Sequence, residues 1–172
     1  MADNTMQMAQ ELTTAMTDPS RQAAQLFRKA RLSGRLHRLA GLLTGRSAGL
    51  ASLSTLEAQS RTRSRRELGL RVVPVGAIRG TEGKPGDFDS AFDPLQDRTR
   101  DRWLSVAEAM LNDRPLPPVE LVQVGDTYFV RDGHHRVSVA AALGQREIEA
   151  QVTAWDLVPC CPPSCTPHPC LA

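Results

Sequence analysis

The residues of this chain best suited to chemistry stand together at Asp132-Gly133-His134-His135-Arg136. Two adjacent imidazoles supply hydrogen-bond donors. An arginine beside them can hold two oxygens of one phosphate in a planar fork. A glycine just before a helix lets an anion approach the backbone, and the first N–H groups of that helix lie at the positive end of its dipole. Asp132 suits three roles: metal ligand, orienter of a histidine, or helix cap. Each residue also has a plainer use. Gly133 serves as a turn glycine, Arg136 as half of an ion pair, and one histidine as a structural side chain, since helix neighbours point about 100° apart.

A second group closes the chain. Cys160, Cys161, Cys165, His168 and Cys170 are of ligand types suited to Zn2+. Their spacing fits no usual zinc knuckle, and five prolines over 158–172 resist a tight fold. We expect a reactive, exposed tail there and assign it no metal site. The rest of the chain holds no cysteine, which excludes a disulfide framework for the core.

The elements that position the motif follow from periodicity. Leu32, Leu36, Leu39 and Leu43 fall at spacings of 4, 3 and 4, predicting a helix from Arg21 to about Arg46, with Ser20 as its cap. Ser54 and Glu57 match a capping box and predict a second helix over 54–67, with a very basic end. Leu70–Ile78 reads as a strand, 79–98 as a loop, and Thr99–Leu111 as a helix with Trp103, Val106, Ala107 and Met110 on one face. Val119–Val124 and Thr127–Arg131 flank a Gly125-Asp126 hairpin turn. The motif comes next, then a helix over about 135–143, stopped by Gly144, and a last strand over Ile148–Trp155.

These elements divide the chain into a disordered stretch 1–19, a basic helical extension 20–68, a domain over 70–157 and a flexible tail 158–172. The expected class is α+β, a small mixed sheet with packed helices. The net charge of +2 conceals an asymmetry: residues 1–71 hold 12 Lys and Arg against 5 Asp and Glu, and residues 72–172 hold 9 against 14. Such halves suit either an interaction arm or mutual docking. No run of about 18 apolar residues exists, so no membrane span is expected. The first 20 residues lack the cationic start and apolar stretch of a secretory signal, which makes the cytoplasm the expected location.

The stretch from Leu116 to Val122, then Tyr128 to Arg136, then Ala140–Gly144 and Ile148, resembles the ParB/sulfiredoxin superfamily. It repeats the family's order of a proline-bounded strand, a hairpin, a G-x-x-R turn, a helix ending in Leu-Gly and a closing strand. Upstream, Pro74 to Ile78 and Asp87-Phe88-Asp89 match more loosely. The resemblance covers roughly half of the chain. It implies a nucleotide triphosphate, CTP or ATP, held at Asp132, Gly133, His134, His135 and Arg136, with Mg2+ as a companion. Gly133, His135 and Arg136 match the G-E-R-R turn of ParB proteins. In sulfiredoxins the turn is G-G-C-H-R, which puts His134 where the reactive cysteine stands. Sulfiredoxin activity is therefore not expected, because the thiolate nucleophile is absent.

Three functions fit. The first is a nucleotide-binding module that switches the state of a partner. The second is a metal-dependent phosphotransferase or nuclease, with His134, His135 and a loop carboxylate, Glu82, Asp87 or Asp89, as catalytic groups. The third is a nucleic-acid-binding accessory protein using the basic arm, residues 21–66. That arm has a single aromatic, Phe27, so stacking on bases is not expected. Its leucine stripe suits packing on the domain, on a protein partner or on a second copy of the chain. The chain ends about 15 residues after the last expected strand, so the helix-turn-helix half of ParB partition proteins is not expected here.

Overall fold

A computed structural model of the chain describes residues 18–44, 49–83 and 86–159. Its helices are α1 (Pro19–Thr44), α2 (Leu53–Gln59), α3 (Arg100–Leu111) and α4 (His134–Ala142). Its strands are β1 (Ala51–Ser52), β2 (Ser60–Pro74), β3 (Ile78–Thr81), β4 (Val119–Val124), β5 (Thr127–Asp132) and β6 (Glu147–Pro159). The tail with its four cysteines and His168, and nearly all of the stretch expected to be disordered at the start, lie outside the described residues.

The six strands form one mixed sheet in the order β1-β3-β5-β4-β6-β2. The fold is thus α+β, as the sequence implies. The β4–β5 hairpin turns at Gly125, which takes φ 57°. Side chains alternate across the sheet. Leu121 and Val130 face one side, with Val152, Val137, Trp103 and Phe27 in the larger core. Val122 and Phe129 face the other, where Leu53 of α2 and Trp155 complete a smaller cluster.

The region 60–67 corrects the sequence reading. It is not the end of a helix over 54–67 but the start of β2, which pairs antiparallel with β6 from Ser60 opposite Pro159 to Pro74 opposite Glu147. Helix α2 is seven residues long, and Ser54 does not cap it; the N-cap is Ser52, with no side-chain cap bond. A short helix is marginal by itself. The long ladder with β6 takes up the backbone of the arginine-rich run instead. The boundary drawn near residue 70 therefore falls inside one continuous strand, and the loop expected over 79–98 begins with β3.

Helix α1 corrects a second expectation. Its start is capped by Asp18, whose Oδ1 accepts the Ser20 N–H at 3.0 Å, and not by Ser20. Its leucine stripe does not pack on the domain: Leu32, Leu36 and Leu39 are 57–60% exposed and Leu43 is 89% exposed. The opposite face does, through Ala23, Phe27, Ala30 and Gly34. Small residues let the helix come close, and a Cβ on Gly34 would stand 3.1 Å from that of Asp93. Phe27 then reaches Trp103 with ring centroids 5.3 Å apart.

Candidate functional site

Helix α4 begins where β5 ends, and Gly133 is the joint. Its φ of 91° lies in the left-handed region, and a Cβ there would meet Val119 Cγ1 at 2.7 Å and the Arg136 guanidinium at 3.0 Å. Only glycine fits both constraints. Gly133 is the N-cap and offers no side-chain cap bond, so Asp132 is not the cap.

The two histidines part company, as neighbours on a helix must. His134 is buried, its Nε2 sharing a 2.7 Å hydrogen bond with Thr81 Oγ1 at the end of β3. Its ring stacks on Phe88 at 6.2 Å and 15°. His135, half-buried, meets the same phenyl edge-on at 5.4 Å and 84°. Phe88 is fully buried and so forms a fixed wall under both rings. Arg136 reaches back across the turn. Its Nη1 donates to the carbonyls of Pro117 and Pro118, and its Nη2 to Asp132 Oδ2 at 2.7 Å. The guanidinium thereby ties the proline segment before β4 to the first turn of α4.

Two hollows adjoin this turn. A cleft of about 140 Å³ is lined by Arg102, Val106, Asp132, Gly133, His134, His135 and Arg136. A cavity of about 340 Å³ lies on the other side of Arg136, walled by Leu116, Pro117 and Ile148 and by the polar Gln145, Glu147 and Glu149. Arg136 is the one residue common to both linings. The first hollow is lined by two arginines and one carboxylate, and the second by Arg114 and Arg136, the carboxylates of Asp113, Glu147 and Glu149, and apolar side chains.

The loop carboxylates lie elsewhere. Glu82 pairs with Arg131 at 2.7 Å, Asp87 with Arg98, and Asp89 with His37 at 2.9 Å. None of the three lines the cleft. Arg102 does, and the sequence offered no signal for it beyond its place on an exposed helix face. A further group also escaped the sequence reading. His37, Asp89 and Asp93 gather ligand-type atoms within 4.8 Å of one another. His37 precedes Asp89 by 52 residues, so no local spacing marks them.

No family model matches the chain, and the curated proteins yield no match. Among solved structures it is similar to sulfiredoxin from Arabidopsis thaliana, at 16% identity and a TM-score of 0.38, over 51% of this chain and 86% of that one. An identity of 16% transfers no activity. Among the described residues no helix is long and apolar enough to cross a membrane.

Proposed function

We propose that this chain binds a nucleotide triphosphate at the turn 132–136, as a ParB-like module that changes state with its ligand. The observation that carries the reading is the pair of hollows divided by Arg136. The smaller, at the start of α4, is lined by Arg102, Arg136 and both histidines and suits phosphate oxygens. The larger has the volume of a small-ligand pocket. Its Glu147 and Glu149 are acceptors for base amino groups and ribose hydroxyls, and the choice of CTP or ATP follows the resemblance to ParB proteins. A phosphate entering the cleft competes with Asp132 for Arg136 Nη2, and this exchange is the means of switching: it frees the Asp132 carboxylate at the end of β5.

Binding is favoured over phosphotransfer because Glu82 and Asp87 pair with arginines, and Asp89 with the His37 imidazole, outside the cleft. The partner surface is α1. Its leucine stripe faces away from the domain, and Arg28 and Arg35 run beside it. An acidic amphipathic helix has the complementary pattern, whereas a second copy would set arginines against arginines.

The test is calorimetric titration of the purified chain with CTP, ATP, GTP and inorganic triphosphate, each with and without Mg2+. CTP or ATP is expected to bind more tightly than GTP and than triphosphate alone. If no nucleotide binds at millimolar concentration, the reading fails.

A further inference from the structure

Beside Phe88 in the chain, three side chains converge that the nucleotide reading does not use. His37 comes from α1; Asp89 and Asp93 come from the segment before α3. His37 Nδ1 lies 2.9 Å from Asp89 Oδ2 and 3.6 Å from Asp93 Oδ2. Bonds of about 2.0–2.2 Å to one ion place neighbouring ligands about 3.4 Å apart in a tetrahedron. The two separations from His37 bracket that figure, and all three ligand atoms lie within 4.8 Å of one another.

The surroundings hold the donors in place. Asp89 is fully buried, and its Oδ1 accepts the N–H groups of Ala91 at 2.9 Å and Asp93 at 2.8 Å, which leaves Oδ2 aimed at the imidazole. Asp93 is largely buried, with 16% of its side chain exposed, while His37 is half-exposed and opens the group to solvent. The charge is out of balance. Two carboxylates are taken out of water together, and among the described residues the His37 imidazole is the one side chain of Lys, Arg or His within salt-bridge reach of either. Buried charge requires compensation. A dication facing two carboxylates and an imidazole is fully compensated.

We infer that His37, Asp89 and Asp93 form a site for a divalent transition-metal ion that fastens α1 to the segment beneath the phosphate cleft. The mixed nitrogen and oxygen donors suit the Mn2+, Fe2+ and Zn2+ class. Mg2+ is disfavoured, since it takes oxygen ligands and retains its water. Asp89 follows Phe88, whose ring supports His134 and His135. Metal occupancy therefore stiffens the wall behind both histidines.

The experiment uses the full chain without nucleotide, so its outcome is independent of the nucleotide reading. Mn2+ is the probe, because the cysteine tail competes for Zn2+ but holds this harder ion poorly. Uptake is read from the loss of the free-ion paramagnetic resonance signal. The wild type is expected to take up one Mn2+ per chain and to melt at a higher temperature with it. His37→Ala and Asp93→Asn are each expected to weaken uptake by at least about tenfold, since losing even an outer partner of a metal ligand costs that much. Asp93→Asn keeps the side chain's shape, so a loss of uptake with cooperative melting retained is not misfolding. The inference is overturned if the wild type takes up no Mn2+ at millimolar concentration, or if both variants bind it as the wild type does.

Discussion

Thr81 and His134 are 53 residues apart in sequence, and their side chains share a buried hydrogen bond of 2.7 Å between Oγ1 and Nε2. The bond ties the end of β3 to the first residue of α4. Thr81 Oγ1 also accepts the Gly83 N–H at 3.2 Å, so one hydroxyl serves both the helix start and the loop that leaves β3. Thr81→Val keeps the shape and removes the oxygen. The expected cost is about 1–3 kcal/mol, the desolvation penalty of the buried group it deprives. Urea denaturation measures this, and Thr81→Ser should recover most of it. A loss below about 0.5 kcal/mol would mean that the bond does not hold the turn.

Gly133→Ala is a harsher change. The left-handed backbone alone costs about 1–3 kcal/mol for a side-chain-bearing residue. The contact with Val119 at 2.7 Å adds to it. We expect a lower melting temperature together with weaker nucleotide binding. A variant as stable as the wild type would show that the joint between β5 and α4 relaxes freely.

Arg136 and Asp132 should act in opposite directions. Arg136→Ala is expected to weaken nucleotide binding by about 1.5–3 kcal/mol, the worth of a hydrogen bond to a charged group. Asp132→Asn removes the carboxylate that competes with phosphate and should strengthen binding, by up to about 1 kcal/mol for an exposed pair. Parallel losses in the two variants, read by the same calorimetry, would contradict the exchange at Arg136.

The two faces of α1 differ in the same manner. Phe27 is 4% exposed and rests on Trp103, so Phe27→Ala should cost about 3–5 kcal/mol. Leu36→Ser and Leu39→Ser, on the outward stripe, should stay within about 0.5 kcal/mol of the wild type. Equal costs for the two faces would show that the stripe packs on the domain after all.

This division was only half legible in the sequence. The hairpin, α3 and α4 were readable because their signals are local: a Gly-Asp step, a 3.6-residue period, a glycine stop. Four spaced leucines also announced α1, but they said nothing of which face the domain would take. Ala23, Ala30 and Gly34 carry little hydrophobic signal, yet their small size sets the approach. The basic run 61–66 does not announce a strand, because Ser54 and Glu57 form a good local helix start. What overrides it is β6, some 90 residues later, and no window of the sequence contains both. Glu82, Asp87 and Asp89 could be named as loop carboxylates, but their partners Arg131, Arg98 and His37 are set by the fold.

Asp93 gives a dependence on pH. Burial holds its carboxyl above the ordinary carboxylate value, and the charge of Asp89 adds to this; a hydrogen bond with Ser33 and the neighbouring His37 oppose it. A raised folded pKa means that the folded chain binds the proton more readily than the unfolded one. The stability from this group is therefore full below the unfolded pKa and is lost as pH rises through the folded one. In metal-free buffer with a chelator, Asp93→Asn should gain on the wild type as pH rises from acid toward neutral. Denaturation curves across that range read the difference, and a gap that does not vary with pH would contradict the shift.

Strand β2 stands at the margin of the sheet, and its exposed side chains include Arg61, Arg63, Arg65, Arg66 and Arg71. A long unpaired margin is a template on which another chain can polymerise. Two such strands brought together would stack like charge on like, so the arginines act as a guard against fibre growth. The guard is electrostatic, and its range shrinks as salt is added. Concentrated solutions of this protein should therefore stay clear at low ionic strength and turn cloudy in high salt, the reverse of a protein salted in by its buffer.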